Sequence, residues 1–569
     1  MNSHSNFLTP SKHTSSICLF IEIIFIPFFV LGVKNWYYSD FAVVFFWTGY
    51  FVICLLAVLN MIFNPSTWMK LLGIVVLTVS VQLLIPLNQP FGIPLDNAAL
   101  FTSQSATNIV QQNHWVLGAG VGDAMKKYSN YPILLLLEVS LSFVTSIPVL
   151  VISQYLMLVY MPLFVIILFC FFKKVTGNSD LAVLASFLFA TNPIVWALTG
   201  ITAYQGLGYI FVALALLSFS SKSRRYAGLF CLFSIILAMT QPLSSYNLIL
   251  FLLFSAVCLY ALKSRSADFH LPVKGYSLLF LVIVVASYQA IVATSTVHLF
   301  FSFLSTAISS TIGHFQTGIV GSTSLSSQSG SIVGTYLEYL GVAVISIVGL
   351  LGSVVSLKRG HRFESFLFIF GIGLSAASYF LPSWQVFGQG STGQGRFLDY
   401  AYLYLIPPAL LGIVEFKNIV SRKYSRLGYF AIVMVFLMLV PSTVIGGLPQ
   451  PYYTANSPLT PNNLSLLDGS QWMATGGWIN QNLPSNYNIW CSSIGTNFIE
   501  GVYGKTTQGL AYFLQALPSN STGSNAVVVQ YLSIGIEDIN YNLTQSNLET
   551  LQTTMNCVYS NGQIGVYEG

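Results

Sequence analysis

Charge is what this sequence lacks. Of 569 residues, only 7% are Asp, Glu, Lys or Arg, against about 25% in soluble globular chains. So few charges cannot cover a water-facing surface, which excludes a soluble globular enzyme and leaves most of the surface to face lipid. Also absent is a convincing cleavable leader. The first apolar run, 17–33, is longer than the usual signal core, and no small-residue cleavage pattern follows it. No internal repeat is visible, which weakens a transporter reading, since many transporters carry one. Cysteine is scarce outside the apolar runs. Cys18, Cys54, Cys170, Cys231 and Cys258 lie within them as small packing residues, and only Cys491 and Cys557 remain.

What is present is apolar sequence in membrane-length pieces. The chain is 54% hydrophobic with a mean hydropathy of +0.71. Runs near the length that crosses a bilayer as a helix recur as far as Gly446 and then stop. The expected spans are 17–33, 42–63, 70–87, 155–172, 180–199, 201–219, 226–240, 246–262, 276–298, 335–356, 363–382, 399–415 and 427–446. The fold class is therefore an α-helical polytopic membrane protein of about thirteen spans, closed by a small extracytoplasmic α/β domain.

Parity decides the remaining apolar run, 132–149. If it does not cross, every basic loop falls on one side: Lys173 and Lys174; Lys222, Arg224 and Arg225; Lys263, Arg265 and Lys274; Lys358, Arg359 and Arg362; Lys417, Arg422, Lys423 and Arg426. Lys12 and Lys70 join them, leaving Lys34, Lys126, Lys127, Arg396 and Lys505 outside. The cytoplasmic bias of basic residues thus makes 132–149 a re-entrant or juxtamembrane helix, with the N-terminus inside and residues 447–569 outside. The net charge of +5 follows this topology and implies no nucleic-acid partner. Three N-x-[ST] sequons, at Asn463, Asn520 and Asn542, lie in the external segment. Cys491 and Cys557 are the only cysteine pair there, and an oxidising compartment would allow them to bridge.

The expected organisation is an N-terminal pair of spans (1–69), a catalytic membrane core (70–446) with a first large external loop (88–154), and the external domain. In that domain, 470–482 reads as helix, 487–491 and 526–531 as strands, 548–554 as helix, and 557–567 as a hairpin turning at Asn561-Gly562.

Candidate chemistry gathers at the outer edge. Asp96 follows the span 70–87, where a partly desolvated carboxylate suits a base acting on a hydroxyl, and where an Asp after Pro is equally an ordinary turn residue. Arg396 is the one outward arginine and follows the glycine-rich stretch Gly388–Gly395. Its planar, always-charged fork suits a phosphate, and glycine permits close backbone approach; an interfacial arginine paired with Asp399 or with lipid headgroups is the plainer alternative. Lys126 and Lys127 are either further phosphate ligands or exposed loop lysines. Glu138 lies on the re-entrant run, and Glu22 within a span. His114, His298 and His314 fit no metal-ligand spacing.

The order of these features resembles the polytopic glycosyltransferases of the GT-C superfamily, in particular the protein O-mannosyltransferase and aminoarabinose transferase branch and its archaeal-type members. That pattern has an acidic pair after a span, a helix ending near a g-x-W turn, and a Y-P motif opening an apolar helix. It appears here as Asp96-Asn97, the helix 98–112, Asn113-His114-Trp115 and Tyr131-Pro132. It continues through Thr191-Asn192-Pro193 and Gln241-Pro242-Leu243-Ser244-Ser245 to the Arg396 region. Two positions depart: Asn97 replaces the second acid, and Gln241 stands where related chains often have His.

The resemblance implies an inverting transferase on the outer face of the cell membrane. Asp96 would be the base, with Arg396, Lys126 and Lys127 at the phosphate of a polyprenyl- or dolichyl-phosphate-linked sugar. Asn97, His114, Tyr131, Glu138 and Gln241 are further site candidates. The partners would be that donor, membrane lipids, and a protein, glycan or lipid acceptor. No cofactor is expected. The resemblance leaves room for a divalent metal, which the Asp96-Asn97 pair does not support. A membrane transporter or lipid flippase, and a degenerate family member that scaffolds other enzymes, remain as alternatives.

Overall fold

The computed structural model describes residues 12–35, 40–83, 97–115, 129–190, 203–219, 224–263, 275–294, 332–358, 363–380, 392–423 and, with short gaps, 469–568. The chain divides into two compact units. One comprises Met1–Leu84, Met157–Gly200 and Tyr204–Ala455; the other comprises Ile85–Leu156, Ile201–Ala203 and Asn456–Gly569. The segment expected as the first external loop thus groups with the C-terminal segment and not with the 70–446 core.

In chain order the helices are α1 (Lys12–Asn35), α2 (Asp40–Phe63), α3 (Thr67–Gln82), α4 (Asn97–Gln112), α5 (Pro132–Thr145), α6 (Val149–Tyr155), α7 (Met157–Thr176), α8 (Ser179–Ala190), α9 (Ala203–Phe219), α10 (Arg224–Ala238), α11 (Pro242–Lys263), α12 (Gly275–Ile291), α13 (Ile332–Lys358), α14 (Phe363–Phe380) and α15 (Thr392–Lys423). Then follow α16 (Gly469–Asn482), β1 (Asn488–Cys491), β2 (Thr507–Gly509), β3 (Asn525–Gln530), β4 (Glu537–Asp538), β5 (Tyr541–Asn542), α17 (Gln545–Thr554), β6 (Asn556–Ser560) and β7 (Ile564–Glu568).

The first unit is a helix bundle with inverted polarity. Large apolar side chains such as Phe20, Val159, Tyr276 and Ile347 point outward, while Glu22, Asn60, Ser186, Ser244 and Asn247 are buried. Water would penalise that arrangement and lipid favours it. Among the described residues, Val149–Thr176 is long and apolar enough to cross a bilayer, and shorter apolar helices recur from Leu19–Phe28 to Tyr400–Phe416. α15 packs on both α13 and α14. It reaches 32 residues and contains Pro407 and Pro408.

The second unit begins with α4 packed on α5 and α6, around Ala106, Leu135, Val139 and Val149. Proline sets the boundaries. Pro132 opens α5, where its missing N–H is no loss. Ser146 closes α5 in the left-handed region at φ 58°, and Pro148 then precedes α6. The apolar run expected as one helix over 132–149 therefore stops at Thr145, and Val149 belongs to the next helix. The expected span 427–446 lies outside the described residues.

The C-terminal part of this unit is a five-stranded sheet in the order β2-β1-β3-β7-β6, parallel between β2, β1 and β3 and antiparallel from β3 to β7 and β7 to β6. The alternation along β3 explains its centrality. Ala526 and Val528 enter a core with Trp472 and Ile479 of α16. Val527 and Val529 enter the opposite core with Leu548 and Leu551 of α17. A helix on each face makes three layers. Lys505 Nζ donates to the Ile479 and Leu483 carbonyls, at 3.2 and 2.7 Å, and so caps the C-terminal end of α16.

That sheet overturns the expected disulfide. No disulfide joins Cys491 and Cys557, of which one is buried and the other exposed. They lie on β1 and β6, three strand positions apart, which is about 14 Å at the usual strand spacing; a disulfide needs Cα atoms within about 7 Å. They also occupy opposite faces. Cys491 belongs to the Trp472 core, whereas Cys557 is registered against Tyr567, a residue of the other core.

Candidate functional site

In the bundle unit, one buried polar cluster joins helices distant in sequence. Gln241 immediately precedes α11, where Pro242 starts the helix. The Ser244 hydroxyl, one turn on, donates to Gln241 Oε1 and also meets the Tyr400 hydroxyl of α15. Tyr400 Oη stands 3.5 Å from the same Gln241 oxygen. One turn further along both helices, Tyr404 Oη donates to Asn247 Oδ1 at 2.8 Å. Ser244, Asn247, Tyr400 and Tyr404 are all buried.

Two more helices enter the same cluster. A Cβ on Gly208 of α9 would stand 2.6 Å from Gln241 Oε1 and would also strike Ser244 Oγ, so only glycine lets α9 approach this closely. The neighbouring Tyr209 ring lies 4.6 Å from that of Tyr400 and stacks on Phe164 of α7. Tyr160 of α7 abuts Gly206. The N-terminal halves of α7, α9, α11 and α15 therefore meet here.

Arg396 belongs to this end of the bundle. The sequence expectation placed it in a loop before a span at 399–415, but α15 already begins at Thr392. The second half of the glycine-rich stretch is thus helical, because glycine is tolerated in a helix whose later turns are well packed. Position 396 stands one helical turn before Tyr400, on the same helix face. Position 396 thus lies one helical turn from Tyr400, whose hydroxyl reaches Gln241, 155 positions earlier in the chain.

The second unit holds the other candidates and separates some of them. Asp96, Lys126 and Lys127 lie outside the described residues. Asn97, the neighbour of Asp96, opens α4, whereas His114 follows its other end. A helix of 16 residues spans about 24 Å, so Asn97 and His114 do not share one site. His114 is exposed, and its Nδ1 sits 2.8 Å from the Gln112 carbonyl. Trp115 Nε1 donates to the Ser129 carbonyl at 3.1 Å. Tyr131, next along, is buried. A small surface hollow with room for about one water molecule adjoins this turn and is lined by Ser105, Asn108, Gln112, His114, Trp115 and Ser129 with Ile109 and Leu135.

Glu138 is fully buried on α5, against Ser153 of α6. Burial pushes its carboxyl up to about 8, with Ser153 opposing weakly. A neutral carboxylic acid there is a packing group and not a charged ligand.

No family model matches the sequence, and no curated protein matches it. Solved structures do. The Archaeoglobus fulgidus oligosaccharyltransferase in its apo form superposes with a TM-score of 0.51 at 14% identity, covering 82% of this chain and 70% of that one. The oligosaccharyltransferase AglB of the same organism, in complex with an inhibitory peptide and a dolichol-phosphate, gives 0.50 at 12% identity, covering 81% and 69%. The chain has the GT-C fold. ArnT from Cupriavidus metallidurans bound to undecaprenyl phosphate is a further neighbour, at a TM-score of 0.47 and 12% identity, covering 89% and 98%.

Within this GT-C fold, the sequence pointed to Ser244 only as part of the Gln241–Ser245 motif and missed Asn247, Tyr209, Tyr400 and Tyr404. Tyrosines in apolar runs read as interfacial belt. The signal that would have separated these two is their spacing: Arg396, Tyr400 and Tyr404 recur every four residues, on one helix face.

Proposed function

We propose that the protein is a membrane glycosyltransferase. It moves a sugar from a polyprenyl- or dolichyl-phosphate-linked donor to an acceptor hydroxyl on the outer face of the cell membrane, with inversion at the anomeric carbon. The observation that carries this is the meeting of the N-terminal halves of four helices around Gln241, Ser244 and Tyr400, one turn from Arg396 on α15, on a GT-C fold. A donor with a phosphate head and an apolar tail suits an arginine borne on one helix of an apolar bundle. The AglB neighbour was solved with a dolichol-phosphate, which supports a lipid phosphate as ligand class.

In this reading Arg396, with Lys126 or Lys127, stabilises the departing phosphate. Asp96 takes the proton from the acceptor hydroxyl as that oxygen bonds to the anomeric carbon and the carbon–phosphate oxygen bond breaks. Each atom is accounted for: the sugar leaves with the acceptor oxygen, the lipid phosphate keeps the bonding pair, and the proton rests on Asp96.

The test is reconstitution of the full chain into vesicles carrying a radiolabelled polyprenyl-phosphate hexose. Time-dependent release of free polyprenyl phosphate with an acceptor hydroxyl present is the expected result. Movement of intact donor between leaflets without release would instead support a flippase.

A further inference from the structure

Tyr400 and Tyr404 sit where a membrane bundle is most sensitive to them. In an apolar interior each buried hydroxyl and amide needs a partner, because no water replaces a lost one. Here α15 presents two hydroxyls one turn apart, and α11 presents two different receivers: the Gln241–Ser244 pair for Tyr400 and Asn247 for Tyr404. The observed register is one that pairs both hydroxyls. A slip of α15 by one turn, about 5.4 Å, would bring Tyr404 to Ser244 but set Pro408 against Asn247. That leaves a buried amide facing a side chain without a polar atom. A slip the other way would move Tyr400 from Ser244 to Asn247 and carry Tyr404 one turn past both receivers. Ring packing enforces the same choice, since Phe251 of α11 stacks on Tyr404 with centroids 4.9 Å apart, and Tyr209 covers Tyr400.

We propose that this two-rung ladder is a register lock, with Tyr400 and Gln241 as positioning residues that hold the first turns of α15 and so set where Arg396 meets the donor phosphate. The proposal rests on the glycosyltransferase reading for the identity of the ligand, but not for the existence of the lock. Arg396 stands one turn beyond the upper rung, with the helix N-terminal turn on its other side. Among the described residues, the Tyr400 rung is a side-chain hydrogen bond that ties α15 to α11 one turn from that position. Loss of the Tyr400 hydroxyl leaves the ring and its packing in place, so the variant Tyr400→Phe removes the attachment without opening a cavity.

Two measurements on the full chain in lipid nanodiscs separate the lock from the ligand. First, backbone hydrogen exchange over residues 392–399 should speed up about tenfold in Tyr400→Phe, the equivalent of one lost hydrogen bond, with α13 unchanged. Second, the KM for polyprenyl-phosphate hexose should rise about tenfold while kcat stays within about twofold. In an Arg396→Ala background the same substitution should add nothing further, as expected of residues acting through one group. Unchanged exchange in Tyr400→Phe overturns the lock. Faster exchange with KM raised by Arg396→Ala but not by Tyr400→Phe overturns the positioning role. Faster exchange with KM indifferent to both substitutions leaves the lock standing and overturns the donor-phosphate reading instead.

Discussion

Gly352 of α13 and Gly412 of α15 face one another so closely that neither helix has room for a side chain there. A Cβ on Gly352 would overlap the Pro408 carbonyl and stand 2.6 Å from the Gly412 nitrogen; one on Gly412 would overlap the Val348 carbonyl and stand 3.0 Å from the Gly352 nitrogen. Helix pairs in lipid gain association energy from such backbone contact, since no hydrophobic force distinguishes a side chain from a lipid tail.

The colliding atoms are backbone, which cannot rotate away. Gly352→Ala should therefore destabilise the protein by about 1–3 kcal/mol, despite the better helix propensity of alanine. Gly373 of α14 is the control, because nothing lies within 4 Å of a Cβ placed there; its substitution should be neutral or stabilise by up to about 1 kcal/mol. Thermal inactivation of both variants in one detergent checks the contrast. Equal loss in the two would refute the packing argument.

Much of this architecture was legible in the sequence because apolar periodicity and proline punctuation act locally. The strands at 488–491 and 525–530 and the helices at 469–482 and 545–554 fall close to where alternation and turn residues place them. What was not legible depends on long-range packing. The glycine-rich run before Arg396 carries the composition of a loop, yet its second half is helical because α13 and α14 hold the helix that follows. The cysteine pairing failed for a similar reason. Composition located both cysteines in one domain, but strand order put β3 and β7 between them.

That strand order gives a chemical prediction. Without reductant, Cys557 should react rapidly with a maleimide on the folded protein, because it is exposed, while Cys491 should react only after unfolding, being buried under Trp472 and Gly495. Mass spectrometry of the labelled protein reads both. A non-reduced peptide linking the two positions would contradict the sheet order.

Glu138 supplies a pH prediction. Its carboxyl is held up to about 8 by burial, above the model-peptide value of about 4.3. The folded state thus keeps a proton that the unfolded state releases. The stability it contributes is complete below about pH 4 and declines by up to about 1.4 kcal/mol per pH unit as pH rises towards 8. Glu138→Gln keeps the shape of the neutral acid and loses the titration. Its thermal midpoint should vary less between pH 5 and 8 than that of the wild type, and its transferase activity should be retained. A matching pH slope in the variant would show that the acid is not the source.

Asp96 and Arg396 should fail in different ways, because the proposed chemistry asks different things of them. A general base acts only as the proton moves, so Asp96→Asn, which removes the acceptor of that proton at constant size, should lower kcat by about 100- to 10,000-fold with donor KM nearly unchanged. A phosphate ligand acts on the bound donor as well as on the departing phosphate. Arg396→Ala should therefore raise donor KM about tenfold to a hundredfold, the range for a hydrogen bond to a charged group, and lower kcat too. Arg396→Lys should recover only part of this, since a point charge keeps the attraction but not the two-pronged geometry. Steady-state kinetics on reconstituted protein, with donor and acceptor varied separately, distinguishes the patterns. Full turnover in Asp96→Asn would remove the base from the mechanism, whatever Arg396 does. An Arg396→Ala defect confined to kcat would mean that the arginine meets the phosphate only as it leaves.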